Sequence, residues 1–127
     1  MWCILKIYSF GREQGKQVDH FGSRNMMMTP IMRMLEKHIA IIQIGCIHLS
    51  EQGVIGGHEA AVPQLFLVVA GEGWVIGKEN VSKNIKAGEL AVWEAGEWHE
   101  VRTELGMTAI VVESDELDLM NSYLKER

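Results

Sequence analysis

Two histidines follow glycine turns at points where predicted strands begin or end. Gly96 precedes His99 by three positions, and Gly56 and Gly57 come directly before His58. Imidazole changes its charge near neutral pH, so it can act as an acid, a base or a metal ligand. Because a predicted hairpin separates the two turns, we expect both histidines at the rim of one concave site. The sequence indicates this pocket more strongly than it indicates what enters it.

The composition is that of one globular domain with excess negative charge. The chain has 127 residues, of which 47% are hydrophobic, and this length is sufficient to bury a core without disulfides. The formal net charge is −5, and no run of basic residues is present. Phosphate binding needs a clustered positive surface, so nucleic acid is not expected as a partner.

The cysteines and the apolar runs predict a cytoplasmic location. Cys3 and Cys46 form neither a disulfide framework nor a CxxC pair, which fits a reducing compartment. The apolar start of the chain is interrupted by Lys6 and lacks a basic region and a cleavage site, so no signal peptide is expected. No apolar run approaches the roughly 20 residues of a membrane span, so no membrane partner is expected.

Short β-rich segments between recurring glycine turns predict an all-β sandwich or barrel. Residues 11–25 are expected to be irregular, and a turn is expected at residues 51–53. Residues 26–34 hold most of the methionines, for which two roles are open: flexible core filler, or the adaptable surface of a pocket wall or subunit contact. Strands are expected over residues 4–10, 38–49, 64–70, 74–76, 90–93, 100–103 and 107–113.

A short helix is expected at the C-terminus, over residues 114–127. Ser114 can cap its first turn, and the acidic residues that follow suit the positive end of the helix dipole. Leu117, Met120 and Leu124 would lie on one face, which could pack on the sheet.

The second glycine–histidine turn matches a motif of the cupin superfamily, G-x5-P-x-G-x2-H-x3-N. Gly88, Gly96 and His99 are in register, with Glu94 at the proline position and Thr103 at the asparagine position.

The first turn is similar to the other cupin motif, G-x5-H-x-H, followed after three or four residues by E-x6-G. Gly71 matches the last glycine and Gln64 stands where the family has glutamate. With the three-residue spacer, His58 takes the first histidine position and Ala60 the second; with the four-residue spacer, the two positions fall on Gly57 and Glu59.

The chain therefore resembles the cupin superfamily, and in particular its small single-domain bacterial members of uncharacterised function. This resemblance implies a double-stranded β-helix, or jelly-roll barrel, formed by a single domain over residues 1–127. Residues 1–37 would form an N-terminal strand and an irregular arm, residues 38–113 the barrel, and residues 114–127 the helix.

The resemblance also implies a divalent metal, because cupins typically hold one with three histidines and a glutamate. The corresponding ligands here would be His58, Gln64 and His99, with Glu59 or Glu97 as an additional carboxylate, and zinc, nickel, iron or manganese as the metal. An amide is a weak neutral ligand, however. The alternative is that the two histidines are polar pocket groups, which hydrogen-bond a ligand, a water or Gln64.

Strand alternation extends the expected pocket beyond these polar groups. Phe66 shares a strand face with Gln64, and Val101 shares one with His99, so both are expected to line the pocket. His48, in the strand before the first motif, is a further candidate for the lining.

Three functions are compatible with these residues. The first is a small-molecule-binding cupin, with a metal-dependent oxygenase or isomerase as the classes of enzyme considered. The second is a metal-free ligand-binding or sensing module without catalysis. The third is a structural homodimeric unit, and a homodimer is expected in each case because barrel strands rich in β-branched and aromatic residues are exposed.

Overall fold

A computed structural model describes residues 5–34, 42–117 and 123–127 of the chain. The described residues form one antiparallel sheet of eight strands and three short 3-10 turns. The turns are Arg12–Gln14, His20–Gly22 and Lys78–Asn80. The strands are β1 (Lys16–Val18), β2 (Arg24–Met34), β3 (Ile42–Glu59), β4 (Gln64–Ile76), β5 (Ser82–Lys86), β6 (Leu90–Trp93), β7 (Trp98–Arg102) and β8 (Met107–Ser114).

Two long strands, β3 and β4, organise the barrel because each of them pairs along both of its halves. The first half of β3 pairs with β8 and its second half with β7. The first half of β4 pairs with β8 and β6, and its second half with β7 and β5. The strands β3, β8, β4 and β7 therefore close into a ring, and β2 and β1 extend it at one side. The predicted all-β jelly-roll architecture is confirmed.

The core lies inside this ring and follows the two-residue alternation of the strands. On β8, Met107, Ala109 and Val111 are buried while the residues between them are partly exposed. Phe66 of β4 and Val101 of β7 are among the largest fully buried side chains. Strand alternation thus delivers apolar side chains to the interior and sets which polar side chains share that face.

The strand predicted over residues 4–10 is wrong for the residues that the structure describes. Residues 5–10 are irregular, and Leu5 and Ile7 are 87% and 88% exposed. Apolar and β-branched residues form a stable strand only when a neighbour supplies hydrogen bonds and a face to pack on. The strands at this end are instead β1 and β2, and β1 lies inside the segment that was expected to be irregular.

The predicted turn at residues 51–53 is also wrong, because β3 continues through it as one strand of 18 residues. Gln52 has a left-handed backbone, with a φ of 59°. Its N–H donates to the Glu104 carbonyl, and the Gly53 carbonyl accepts from the Thr103 N–H. These bonds to the segment after β7 stand in for ladder pairing at residues 52 and 53, so the chain does not leave the sheet there. The strand predicted over residues 38–49 is observed from Ile42 onward, and residues 38–41 lie outside the described residues.

The C-terminal helix predicted over residues 114–127 is not found where the structure describes that segment. Ser114 is the last residue of β8, and its hydroxyl accepts a hydrogen bond from the Glu116 N–H. Residues 115–117 and 123–127 are not helical, and residues 118–122 lie outside the described residues. Across the described ranges, no helix has both the length and the apolar character that a membrane crossing requires.

Close packing of β4 against β7 gives a test of the barrel. A Cβ atom at Gly73 would overlap the Arg102 carbonyl oxygen and the Met107 methyl group. We expect Gly73→Ala to lower the free energy of unfolding by about 1–3 kcal/mol, because the two strands would have to separate. Urea unfolding followed by circular dichroism measures this change.

Gly77→Ala is the matched control, because the nearest atom to a Cβ there is 4.0 Å away. This variant should unfold within about 0.5 kcal/mol of the natural protein. Equal losses in the two variants would contradict the packing described for Gly73.

Candidate functional site

The structure brings His58 and His99 together at the pairing of β3 with β7. Their Cα atoms are direct cross-strand partners, and the centres of their rings lie 4.6 Å apart. His99 is buried, with 2% of its surface exposed, and His58 is half-buried. The two glycine–histidine turns of the sequence therefore place His58 and His99 side by side, and we call these two side chains the imidazole pair.

A one-residue bulge in β3 makes this pairing possible. Ile55 pairs with Val101 and His58 pairs with His99, so β3 advances three residues where β7 advances two. In a regular strand, residues 55 and 58 would point to opposite faces. The bulge at Gly56 and Gly57 brings both side chains to the inward face.

Backbone carbonyls orient both rings in the same way. Nδ1 of His58 lies 2.8 Å from the Gly56 carbonyl oxygen, and Nδ1 of His99 lies 3.2 Å from the Glu97 carbonyl oxygen. A carbonyl only accepts, so we assign the proton of each neutral ring to Nδ1. Nε2 is then the nitrogen with a free lone pair, which can accept a hydrogen bond, take up a proton or bind a metal.

Burial favours the neutral form of His99. Desolvation lowers the pKa of this histidine below its ordinary value of 6.5, and the neighbouring His58 lowers it further. The hydrogen bond to the Glu97 carbonyl and the charge of Glu97 act in the opposite direction but are smaller than the desolvation. At neutral pH the His99 ring is therefore a base rather than an acid.

Aromatic rings continue on both sides of the imidazole pair. Trp93 stacks on His99 with ring centres 4.0 Å apart, and Phe21 stacks on His58 at 4.5 Å. Phe66 lies at a tilt beyond Trp93, at 5.8 Å. The column of rings holds both imidazoles in fixed orientations, so their Nε2 atoms are preorganised.

A second polar pair, Gln64 and Glu113, lies on neighbouring strands β4 and β8. Their Cα atoms are cross-strand partners, and the Gln64 side-chain amide donates to Glu113 Oε1 over 3.0 Å. Trp93 is the partner of Gln64 on its other side, in β6. Glu113, Gln64 and Trp93 therefore lie side by side on the three paired strands β8, β4 and β6.

The two polar pairs line one cavity of about 120 Å³ inside the barrel. Most of its wall is apolar. The methionine-rich segment, residues 26–34, contributes Met26 and Met28, so it forms part of a pocket wall, which is one of the two roles that the sequence left open. The lining consists of Val18, His20, Phe21, Ser23, Met26, Met28, Ile47, Ile55, His58, Gln64, Phe66, Trp93, His99, Val101, Val111 and Glu113. A mostly apolar cavity with a few convergent polar groups is typical of a small-molecule site.

Three of the predicted site residues lie elsewhere. Glu59 is exposed at the end of β3, and Glu97 faces its own turn, where Oε1 accepts the Glu94 N–H over 3.0 Å. His48 is also outside the cavity, and this prediction needs correction. Its neighbour Ile47 lines the cavity, so alternation places His48 on the opposite face, with Nε2 3.3 Å from the Phe10 carbonyl oxygen.

Glu113, Trp93 and Phe21 also belong to the site, although they were not predicted there from the sequence. A signal for Glu113 was present, because it continues the inward series of alternate residues on β8. Phe21 gave no comparable signal, since it lies on a 3-10 turn with a left-handed φ of 57°. That turn is held against the β3 bulge, where the Gly56 N–H donates to the Ser23 hydroxyl over 3.0 Å.

The described residues do not fit the metal site that the cupin resemblance implies. They contain no group of three or more His, Cys, Asp or Glu side chains that could hold a metal ion. His58 and His99 supply two imidazoles, the second histidine position is Ala60, and Gln64 uses its amide to bind Glu113. Two neutral nitrogens alone make a weak site for the metals considered.

Comparisons with solved structures identify the fold. The polyketide cyclase RemF from Streptomyces resistomycificus superposes with a TM-score of 0.71 at 15% identity, over 87% of this chain and 81% of that one. A predicted oxalate decarboxylase from Thermotoga maritima gives 0.64 at 16% identity, over 83% of this chain and 96% of that one. A cupin 2 conserved barrel domain protein from Rhodopseudomonas palustris gives 0.64 at 15% identity, over 82% of this chain and 70% of that one.

These structures share the closed jelly-roll barrel described above, and the chain therefore has the cupin fold. No protein-family model and no curated protein matches the sequence. At such low identities the structural likeness establishes the fold, while the function has to be argued from the site itself.

The lowered pKa of His99 predicts a pH dependence of stability. Below the ordinary pKa of 6.5, the unfolded chain takes up a proton at this histidine more readily than the folded chain does. The stabilising contribution of the neutral His99 ring to the free energy of unfolding should therefore be fully present above pH 6.5. It should decrease as the pH falls towards the lowered pKa of His99 in the folded state. Urea unfolding at a series of pH values measures this slope.

His99→Gln should remove that part of the slope. His48→Gln is the matched control, because it removes an imidazole from the opposite face of the barrel wall and should leave the His99 contribution in place. An unchanged slope in His99→Gln would show that burial does not hold this ring neutral.

The donor set predicts weak metal loading. We expect protein purified without an affinity tag, incubated with zinc, nickel, iron or manganese and then gel-filtered, to retain far less than one metal ion per chain. Gln64→Glu restores the carboxylate of the cupin motif beside the imidazole pair and should raise the retained amount. Elemental analysis of both proteins provides the measurement, and one metal ion per chain in the natural protein would contradict the prediction.

Proposed function

We propose that the chain binds a small organic molecule inside the barrel and uses the imidazole pair to accept hydrogen bonds or a proton from it. The observation that carries this proposal is that both imidazoles line a mostly apolar cavity while their Nδ1 atoms are bonded to backbone carbonyls, which leaves each Nε2 available. Both nitrogens are oriented by backbone bonds, so a ligand would find them already in place. Such preorganisation increases affinity because little ordering remains to be done on binding.

The size of the cavity limits the ligand. A cavity of about 150 Å³ in another protein encloses benzene, so about 120 Å³ corresponds to a short branched chain, or to one small ring whose substituent extends towards the partly exposed His58. The structural neighbours named as a polyketide cyclase and a predicted oxalate decarboxylase support an organic ligand in general terms only.

If the bound molecule is also converted, proton transfer is the step that the described residues support best. His99 is held neutral by burial, and a neutral Nε2 at a ligand C–H or O–H bond can act as a general base. Among the classes considered from the sequence, an isomerase needs such a base. An oxygenase needs an oxygen-activating centre, for which the donor set is poor. A ligand-binding module without turnover would use the same contacts without the proton transfer.

Ligand screening by thermal unfolding tests the proposal. A ligand present at ten times its dissociation constant stabilises the folded state by about 1.4 kcal/mol. This corresponds to a rise in melting temperature of about 4 °C for a domain of this size. We expect at least one small ring compound to produce such a rise and to change the fluorescence of Trp93, which forms part of the cavity wall.

Val111→Phe and Val112→Phe are matched variants for this screen. Val111 lines the cavity, whereas Val112 is its neighbour on the opposite face of β8. Filling the cavity at residue 111 should abolish the ligand-induced rise, and the substitution at residue 112 should preserve it. His58→Ala, at the half-buried mouth, gives a second test if the bulky variant folds poorly. If the ligand still raises the melting temperature of both Val111→Phe and His58→Ala, it binds outside this cavity and the proposal is wrong.

A further inference from the structure

Hydrogen-bond acceptors outnumber donors among the polar atoms left over on the imidazole pair and on the Gln64–Glu113 pair. Nδ1 of each histidine in the imidazole pair is committed to a backbone carbonyl, which leaves Nε2 of His58 and His99 as acceptors. Gln64 donates to Glu113, which leaves the Gln64 carbonyl and the Glu113 carboxylate as acceptors. A ligand that brings several N–H or O–H groups therefore fits these four side chains better than one that brings acceptors.

The described lining of the cavity also carries a negative charge without a protein counter-ion. Among the described residues of this lining, Glu113 is the only carboxylate, and neither lysine nor arginine is present. The ion pairs that the structure shows between described side chains include Arg102 with Glu100 and Arg127 with Glu89, and neither involves Glu113. Glu113 is half-buried, and partial desolvation of a carboxylate costs free energy that a counter-ion would offset. An anionic ligand would add to this cost, and a cationic one would remove it.

The rest of the wall suits the apolar part of such a cation. Phe66, Trp93, Val101 and Val111 surround the polar groups with apolar surface. Aromatic rings attract an ammonium group electrostatically when it approaches their faces, and they also pack on a ring or short chain.

From these observations we propose that the ligand is a small organic amine, bound as its ammonium ion against Glu113, with its apolar part packed on Phe66 and Trp93. This inference rests on the proposed function, because it names the ligand class of the same cavity. Glu113 acts as the counter-ion, and Nε2 of His99 and of His58 accept the remaining N–H bonds. Glu113 is thereby a specificity-determining residue that favours amines over acids of the same shape.

A charge series of one shape tests this selectivity. Benzylamine, benzyl alcohol and benzoate have nearly the same size but carry a positive, zero and negative charge at pH 7.5. Isothermal titration calorimetry with the full chain should show benzylamine binding at least about tenfold more tightly than benzyl alcohol, because hydrogen bonds to charged groups are stronger than neutral ones. Benzoate should bind most weakly.

Glu113→Gln and Glu116→Gln form a matched pair for the same titrations, since each removes one negative charge. Glutamine at residue 113 keeps the shape of the side chain and can still accept from Gln64, whereas Glu116 is exposed outside the cavity. Glu113→Gln should weaken benzylamine by about tenfold and leave benzyl alcohol unchanged. Glu116→Gln should bind all three compounds as the natural protein does.

The outcomes separate this inference from the proposed function. Tighter binding of benzoate or benzyl alcohol than of benzylamine would overturn the amine assignment while leaving a small-molecule site in place. The same holds if Glu113→Gln leaves benzylamine binding unchanged, or if the thermal screen finds ligands but no amine among them. If no compound of any charge binds, the proposed function itself fails.

Discussion

The site depends on one extra residue in β3. The bulge between Ile55 and His58 reverses the alternation of the strand, so that side chains three positions apart both face inward. Gly56 and Gly57 allow this because neighbouring groups occupy the space of a side chain: the Phe21 carbonyl at Gly56 and the Trp98 ring at Gly57. A regular strand would keep Ile55 in the core and turn His58 outward. The imidazole pair and the stacking of Phe21 on His58 both follow from this local irregularity.

Buried His99 and half-buried His58 can lie side by side because neither ring depends on a charged partner. Each ring places its Nδ1 hydrogen on a carbonyl two residues earlier in the chain, so both neutral rings are partly satisfied without a side-chain partner. Burial lowers the pKa of His99, and the neighbouring His58 lowers it further. The aromatic contacts with Phe21 and Trp93 then fix the ring planes. The Nε2 atoms of the two rings are thus left with lone pairs that can accept hydrogen bonds.

The predictions made from sequence succeeded where a pattern had a direct geometric meaning. The glycine turns and strand alternation indicated an all-β sandwich or barrel, and the cupin resemblance specified the jelly roll. The same resemblance marked His58, Gln64 and His99, all of which line one cavity. The predictions failed where local propensity conflicted with tertiary pairing. Residues 5–10 have strand-forming composition but no pairing strand among the described residues, and β3 passes through a predicted turn because the segment after β7 supplies its hydrogen bonds. Phe21 reaches the cavity through the docking of a loop, which no periodic pattern encodes.

The position of the carboxylate distinguishes this cavity from the one that the cupin motif describes. The motif places glutamate at residue 64, on β4, whereas here glutamine stands there and Glu113 lies across from it on β8. Two carboxylates at these paired positions would repel each other, while an amide beside a carboxylate donates a hydrogen bond to it. Glutamine at residue 64 is therefore physically coupled to glutamate at residue 113. The carboxylate here lies one strand away from residue 64, on β8, where it accepts a hydrogen bond from Gln64. A motif comparison restricted to residue 64 registers only a missing carboxylate, whereas the paired strands show that a carboxylate is present at the neighbouring position, residue 113.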